Sequence, residues 1–113
     1  MSDDRRRSPR ITLTAWAHVS VTGESRTKLC TVSDISRIGL GIQSKDAFPP
    51  GSLVTIEIKF IDAAKAAISW KTSGTVVRCA EREHGYFVGV DLSRPITRQD
   101  TPELDAILAK SGA

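Results

Sequence analysis

Basic side chains are concentrated near the start of the 113-residue sequence. Four of the 16 lysines and arginines fall within residues 5–10, which read Arg5-Arg6-Arg7-Ser8-Pro9-Arg10. The planar guanidinium group of arginine donates paired hydrogen bonds to phosphate oxygens, or to the O6 and N7 acceptors of guanine. Pro9 disfavours helical backbone at Ser8, so we expect a bent, non-helical segment. A basic run alone is usually a solvated tail, and it indicates a binding site only with a second feature.

A second short pattern, Asp34-Ile35-Ser36-Arg37-Ile38-Gly39, has the form D-x-S-x-x-G. Aspartate and serine side chains hydrogen-bond to nearby backbone groups, so such a segment usually forms a turn. Arg37 occupies an unconstrained position of the pattern, and we expect it to face solvent. The pattern becomes more specific because it follows the arginine run and lies within a region of short strands.

The sequence lacks the patterns that mark common enzymes and metal sites. His18 and His84 have no nucleophile with a positioned acid beside them, and no G-x-S-x-G, P-loop, H-E-x-x-H or paired-cysteine zinc pattern occurs. Cys30 and Cys79 lie far apart without a second ligand at metal-binding spacing, and we interpret both as small buried apolar residues. We therefore expect no catalytic residue, no metal site and no enzymatic activity.

Alternation of apolar and polar residues predicts a chain made mainly of short strands. Apolar side chains at every second position are typical of strands with one buried face. The expected strands cover residues 11–21, 27–34, 39–44, 54–60, 66–80 and 86–92. A bulge or turn is expected at Thr72-Ser73-Gly74, because glycine within a strand often marks one. Six or seven such strands indicate a small antiparallel barrel or sandwich.

The end of the chain is predicted to form a short amphipathic helix at about residues 101–110. Thr101 is a suitable N-cap and Pro102 suits the first helical position. Leu104, Ile107 and Leu108 have helical spacing. A helix this short persists only when its apolar stripe packs against the rest of the domain.

Length and composition fit one domain. With 40% hydrophobic and 26% charged residues, the sequence is close to the globular average. We expect a flexible basic N-terminal arm over residues 1–9 and a single folded domain over residues 10–113. No apolar run approaches the roughly 18 residues of a membrane span, and no signal segment follows the charged N-terminus. The expected location is therefore the cytoplasm, and the net charge of +3 favours anionic partners.

In this order, the two patterns resemble the PilZ family, whose members are bacterial receptors for cyclic di-GMP. The family pattern is R-x-x-x-R, a spacer, and then [D/N]-x-S-x-x-G; it is matched by Arg6, Arg10, Asp34, Ser36 and Gly39. Residues 74–78 and 86–92 are similar to the closing strands of the family. The resemblance covers residues 5–92 and implies a mainly all-β fold, a six-stranded antiparallel β-barrel with a short C-terminal α-helix. It implies cyclic di-GMP as the ligand and no cofactor.

The resemblance also implies which residues bind the ligand: Arg5, Arg6, Arg10, Asp34, Ser36 and Gly39. The arginines would contact guanine and phosphate as the arm closes, and an arginine at position 5 favours a stacked pair of ligands. Asp34 can accept from the N–H edge of guanine. Ser36 can bond phosphate or an amine, and Gly39 supplies a turn with positive φ or a close backbone approach. Closure would change the surface shown to a downstream protein partner, which the sequence does not identify, with motility or exopolysaccharide synthesis as outputs.

Two other functions remain open from the residues alone. A small barrel can bind RNA or single-stranded DNA through stacking aromatic side chains, although the aromatic fraction here is 5% and no specific nucleic acid is expected. A protein–protein adaptor is the other alternative. Trp16 stands among polar residues of the first strand, and we expect the helix to cover it, whereas Trp70 is expected in the core.

Overall fold

A computed structural model describes residues 14–62 and 64–110 of the chain. Its elements are β1 (Ala15–Val21), β2 (Lys28–Ile35), β3 (Gly39–Ser44), β4 (Leu53–Ile61), β5 (Ala67–Arg82), β6 (Gly85–Leu92) and α1 (Pro102–Lys110). All neighbouring strands are antiparallel in the order β1-β2-β3-β6-β5-β4, and the pairing of β1 with β4 closes the barrel. The expected six-stranded antiparallel barrel with a C-terminal helix is confirmed.

The barrel interior is filled by alternate side chains of the strands. In β4, Val54, Ile56, Ile58 and Phe60 are buried, whereas the residues between them are largely exposed. This period of two follows from the pleat, which sends successive side chains to opposite faces. The same core cluster includes two leucines of α1, so the helix packs its apolar stripe against the barrel, as the sequence predicted.

Strand β5 is continuous through the segment where a bulge or turn was expected. Residues 67–75 pair with β4 without interruption, and the register instead shifts between Val76 and Arg78 against β6. The prediction at Thr72-Ser73-Gly74 is therefore wrong. A Cβ on Gly74 would lie 2.5 Å from the Asp91 carbonyl oxygen and 2.7 Å from Val90 Cγ1. The glycine is explained by this close approach of neighbouring backbone and side chain.

The helix begins at Pro102, and Thr101 occupies the N-cap position. The Thr101 carbonyl accepts a hydrogen bond from the Asp105 N–H at 2.9 Å, and the Thr101 N–H donates to the Thr97 carbonyl. The Thr101 hydroxyl, however, is buried and has no hydrogen-bond partner among the described residues. Thr101 therefore provides the position of an N-cap without its side-chain hydrogen bond.

Both cysteines are free thiols. Cys30 is buried, which agrees with its interpretation as a small apolar residue, and this burial raises the pKa of its thiol. Cys79 is only half-buried and packs at the margin of the core. The two thiols therefore differ in their access to solvent.

Trp16 is not covered by the helix. Its side chain is 48% exposed and lies in a surface groove formed by β1, β4 and β5. No residue of α1 lines this groove. The expectation that α1 shields Trp16 is wrong because the helix lies beside Asp62 and Ala64, at the connection between β4 and β5. Trp70 packs against the core, as expected, although it is only half-buried.

Candidate functional site

The D-x-S-x-x-G pattern forms the end of β2, a tight loop and the first residue of β3. Ser36 is buried at the centre of this loop. Its hydroxyl accepts hydrogen bonds from the N–H groups of Ile38 and Gly39 and donates to the Gly39 carbonyl, at 3.2–3.3 Å. The Ser36 N–H also donates to the Gly39 carbonyl at 2.8 Å. Ser36 therefore fixes the shape of the loop in this structure, and its contact with a ligand stays a prediction.

Gly39 begins β3 and pairs with Asp91 of β6. The described glycines with positive φ are Gly23, Gly51 and Gly85. The expectation that Gly39 supplies a turn with positive φ is therefore wrong, because extended backbone at this position continues directly into the strand. The second interpretation, close approach of the backbone to a ligand, stays a prediction.

Asp34 lies on the outer surface of the barrel, directly across from Gly41 of β3. A Cβ on Gly41 would lie 2.7 Å from two ring carbons of Phe87 and 3.2 Å from Asp34 Oδ1. The Asp34 carboxylate and the Phe87 ring therefore flank the same bare stretch of backbone. Any side chain on Gly41 would displace one of them, so the sequence needs glycine at this position.

The outward-facing positions next to Asp34 and Gly41 continue across β6 and β5. Gly41 pairs with Gly89 of β6, and Gly89 pairs with Arg78 of β5. The guanidinium carbon of Arg78 lies 5.7 Å from the centre of the Phe87 ring, and that of Arg82 lies 5.6 Å from it. Both distances are within the range of a cation–π interaction. Phe87 is thereby positioned between two arginines on the surface.

We call Asp34, Gly41, Arg78, Arg82 and Phe87 the arginine–phenylalanine surface. Its chemical groups are a carboxylate that accepts hydrogen bonds, two guanidinium groups that bind anions, and an aromatic ring that covers buried glycine backbone. A planar base stacks well on arginine and phenylalanine, and phosphate oxygens suit the guanidinium forks. The arrangement thus fits a ligand that combines a heterocyclic base with anionic groups.

Arg37 does not face solvent as expected. Its Nη1 donates to Asp105 Oδ1 of α1 at 2.6 Å and to the Ile96 carbonyl at 3.2 Å, and its side chain is only 27% exposed. The Arg37 carbonyl accepts a hydrogen bond from the Ile96 N–H at 2.7 Å. The prediction failed because these partners are remote in sequence. Arg37 connects the D-x-S-x-x-G loop to the helix.

Three of the predicted ligand residues, Arg5, Arg6 and Arg10, lie outside the described residues, as does the predicted arm over residues 1–9. β1 begins at Ala15 and is antiparallel to β2, with Trp16 opposite Thr31. The start of β1 therefore lies beside the half of β2 that contains Asp34.

Sequence reasoning did not identify Phe87, Arg82 or Gly41 as site residues, and it placed Arg78 only within a segment similar to the closing strands of the family. The alternation of β6 contained a usable signal. Val88 and Val90 are buried, so Phe87 must share the outer face with Gly89. An aromatic side chain on the polar face, beside a glycine, is unusual enough to indicate a surface with a role.

Charged groups elsewhere form ordinary surface pairs. A hydrogen bond from Ser69 holds the pKa of the Glu57 carboxyl below its usual value, and His18 Nδ1 lies 3.9 Å from Glu57 Oε1. Among residues 14–62 and 64–110, no group of three or more His, Cys, Asp or Glu side chains is arranged to hold a metal ion. Over the same ranges, no helix has the length and apolar character needed to cross a membrane.

Solved structures of other proteins share this fold. The structure of the Bacillus subtilis inhibitor of motility (MotI/DgrA) superposes with a TM-score of 0.75 at 14% identity, over 95% of this chain. The chain spans about half of that protein, 51% of its length. The PilZ domain of YcgR from Escherichia coli, solved with c-di-GMP, superposes with a TM-score of 0.58 at 14% identity, over 96% of this chain and 94% of that one.

Comparison at the level of sequence gives a family. No curated protein matches the sequence significantly. The family model described as "PilZ domain" matches residues 4–110. This range includes the R-x-x-x-R pattern, the D-x-S-x-x-G pattern and all six strands. The chain therefore belongs to the PilZ domain family.

Proposed function

We propose that this chain is a receptor for cyclic di-GMP, a binding domain rather than an enzyme. Arg5, Arg6 and Arg10 close over the nucleotide from the segment before β1. Asp34, Ser36 and Gly39 contact it from the barrel. The observation that carries the proposal is the Asp34 carboxylate beside bare backbone on the arginine–phenylalanine surface. Family membership and the c-di-GMP complex of the E. coli PilZ domain support it.

The chemistry of the ligand matches these groups. Each guanine has an acceptor edge that suits an arginine fork and a donor edge that suits a carboxylate. The two phosphates need cations, which the arginine run and Arg78 supply. The Phe87 ring lies over the backbone of Gly41 and offers a flat apolar surface on which a base can stack. Cyclic di-GMP combines all these features in one molecule.

The expected output is a change in the surface that the domain shows to a protein partner. Arg37 hydrogen-bonds both to α1 and to the segment before it, so it joins the D-x-S-x-x-G loop to the C-terminal part of the chain. A ligand held at this loop and by the N-terminal arginines would reposition the arm relative to the helix. The motility inhibitor of B. subtilis shares the fold, and we propose motility as the process controlled.

Isothermal titration calorimetry with cyclic di-GMP tests the proposal and gives affinity and stoichiometry together. Removing one partner of a desolvated charge pair typically costs about 2–5 kcal/mol, so Arg6→Ala and Arg10→Ala should each weaken binding by at least about thirtyfold. Arg7→Ala is the matched control within the same run. If Arg7 is only solvated, it should cost less than about 1 kcal/mol.

Equal losses at Arg6, Arg7 and Arg10 would contradict the proposed site and indicate non-specific attraction. Cyclic di-AMP is the ligand control and should bind far more weakly. Adenine presents an N6 donor where guanine presents the O6 acceptor, and it lacks the N1–H and N2–H₂ donors of guanine. Tight binding of both dinucleotides would also contradict a guanine-specific site.

A second candidate function is the binding of single-stranded nucleic acid. The half-exposed indole of Trp16 favours it, since an uncovered aromatic ring beside Lys59 can stack on a base. Salt separates the two functions. Non-specific nucleic-acid binding weakens steeply with increasing salt, whereas a compact guanine site should keep its discrimination against cyclic di-AMP.

A further inference from the structure

Strand β5 is much longer than its neighbour β6. Its residues 67–75 pair with β4, and its residues 74–82 pair with β6. β6 ends at Leu92, opposite Gly74, and the chain then turns away through Ser93. The part of β5 before Ser73 consequently pairs with a strand on one side only, and it presents an open edge on the other.

The main-chain groups along this edge have a defined orientation. The Ser73 carbonyl accepts a hydrogen bond from the Ser93 N–H at 2.9 Å, so the groups of Ser73 point toward the β6 side. Successive residues of a strand alternate in this direction, which places the N–H and C=O groups of Ser69 and Lys71 on the same open edge. Among the described residues, no turn, loop or cap group hydrogen-bonds to the main chain of Ser69 or Lys71.

A cleft of about 530 Å³ lies along this edge. One wall is β5 from Trp70 to Ser73, and the other is the segment after β6, which contributes Ser93, Arg94, Pro95 and Asp100. The half-buried Trp70 supplies an apolar surface within the cleft. Lys71 supplies an exposed cation at its mouth, whereas Arg94 is paired with Asp100 of the same wall, with its Nη2 2.8 Å from Asp100 Oδ1.

We propose that this open edge of β5 accepts an extended segment of a partner protein as an added strand, in line with β6. The segment alternates apolar and acidic side chains. Its main chain bonds to Ser69 and Lys71, its apolar side chains contact Trp70, and its acidic side chains face Lys71. The proposal goes beyond nucleotide binding, because it concerns a different surface and a different ligand.

Charge decides between a foreign segment and a second copy of this chain. In the antiparallel register that places Lys71 opposite its own copy, the two cations would lie side by side, and like charges across strands are destabilising. An edge lysine is a common device against such self-association. The same cation attracts an acidic strand, so a partner of opposite charge is favoured over self-pairing.

Backbone amide exchange on the full chain, without nucleotide, tests the proposal independently of cyclic di-GMP. The probe is an eight-residue peptide of alternating valine and glutamate. Its addition should slow exchange at Ser69 and Lys71, whose N–H groups lie on the open edge of β5. Trp70 and Thr72 pair with Ile58 and Ile56 of β4 and should be protected with or without peptide. Binding without new protection at Ser69 and Lys71, or no binding, would overturn the proposal.

Two variants of Lys71 make the test specific. Lys71→Glu should weaken binding of the glutamate peptide by about tenfold and strengthen binding of a valine–lysine peptide, whereas Lys59→Glu, on the neighbouring strand, should change either affinity by less than about threefold. Lys71→Pro removes a donor from the open edge while sparing the bonds of Trp70 and Thr72 to β4, so the fold should persist and peptide binding should be lost.

Amide exchange and molecular mass at high protein concentration distinguish a foreign strand from a second copy of the chain. If Ser69 and Lys71 become protected on concentrating the protein alone, and its mass in solution doubles, the edge pairs with a second copy and the proposed foreign strand is wrong. Equal effects of Lys71→Glu and Lys59→Glu would likewise refute a partner that is recognised at the edge.

Discussion

Replacing Gly41 by alanine tests whether the bare backbone of the arginine–phenylalanine surface matters. The new Cβ would lie 2.7 Å from Cε1 and Cζ of Phe87 and 3.2 Å from Asp34 Oδ1. Carbon atoms in contact are normally about 3.5–4.0 Å apart, so the Phe87 ring must retreat by about 1 Å. Such a retreat moves the ring out of its position between Arg78 and Arg82.

The expected loss of stability follows from three contributions. Overpacking costs about 1–3 kcal/mol, and the lower half of this range applies because the half-buried ring can move toward solvent. Weakened cation–π contacts add about 0.5–1 kcal/mol. Alanine lowers the entropy of the unfolded chain relative to glycine, and this stabilises the folded state by about 0.4–1 kcal/mol. The net loss is about 0.5–2.5 kcal/mol for Gly41→Ala.

Gly89→Ala is the matched control. Gly89 lies opposite Gly41 on the neighbouring strand, but its Cβ would sit 3.5 Å from Arg78 Cβ, which is ordinary contact. The Gly89→Ala variant should therefore have an unchanged or slightly higher free energy of unfolding. Urea denaturation of both variants measures the free energies of unfolding, and titration with cyclic di-GMP measures binding. Equal stability of the two variants, or full nucleotide affinity in Gly41→Ala, would refute the reasoning.

Three further predictions concern other parts of the chain. Arg37→Ala leaves the Asp105 side chain, which is 17% exposed, without its guanidinium partner. The free energy of unfolding should therefore fall by about 1–3 kcal/mol. A double-mutant cycle with Asp105→Ala that shows no coupling between the two residues would contradict this. Under native conditions an alkylating reagent should modify Cys79 before Cys30, because burial limits access to the Cys30 thiol and raises its pKa; mass spectrometry of the labelled peptides checks this order. Hydrogen bonds from Arg94 and Thr97 lower the pKa of the Asp100 carboxyl in the folded chain. The small stabilisation by the ionised carboxylate should therefore be present above the pKa of Asp100 in the unfolded chain and be lost as the pH falls through its pKa in the folded chain. An NMR titration of the Asp100 carboxyl with a normal midpoint would contradict this.

Much of the barrel could be predicted from the sequence because each strand has one buried face. The alternation in β4 survives in the structure residue by residue, since side chains of a pleated strand must point alternately in and out. The misplaced irregularity in β5 shows the limit of such reasoning. Glycine is compatible both with a bulge and with close packing, and only the neighbouring strand determines that Gly74 serves the second purpose.

The candidate site was predictable only where its residues form a local pattern. Asp34, Ser36 and Gly39 lie within one short segment, and the family resemblance identified them together. Phe87 belongs to the same surface because β3 and β6 are neighbours, which the order of strands along the chain does not reveal. Arg37 was misjudged for the same reason, since its partner Asp105 lies on the far end of the chain.

Two strand pairings of the barrel, which we call seams, join segments that are far apart along the chain. β1 pairs with β4, so that Ala15 lies beside Phe60, and β3 pairs with β6, so that Gly39 lies beside Asp91. The hairpins between consecutive strands can form within about 1–10 μs, whereas the seams require long loops to close first. Refolding from urea is therefore expected on the scale of milliseconds to seconds, with the joining of β1 to β4 among the slowest events.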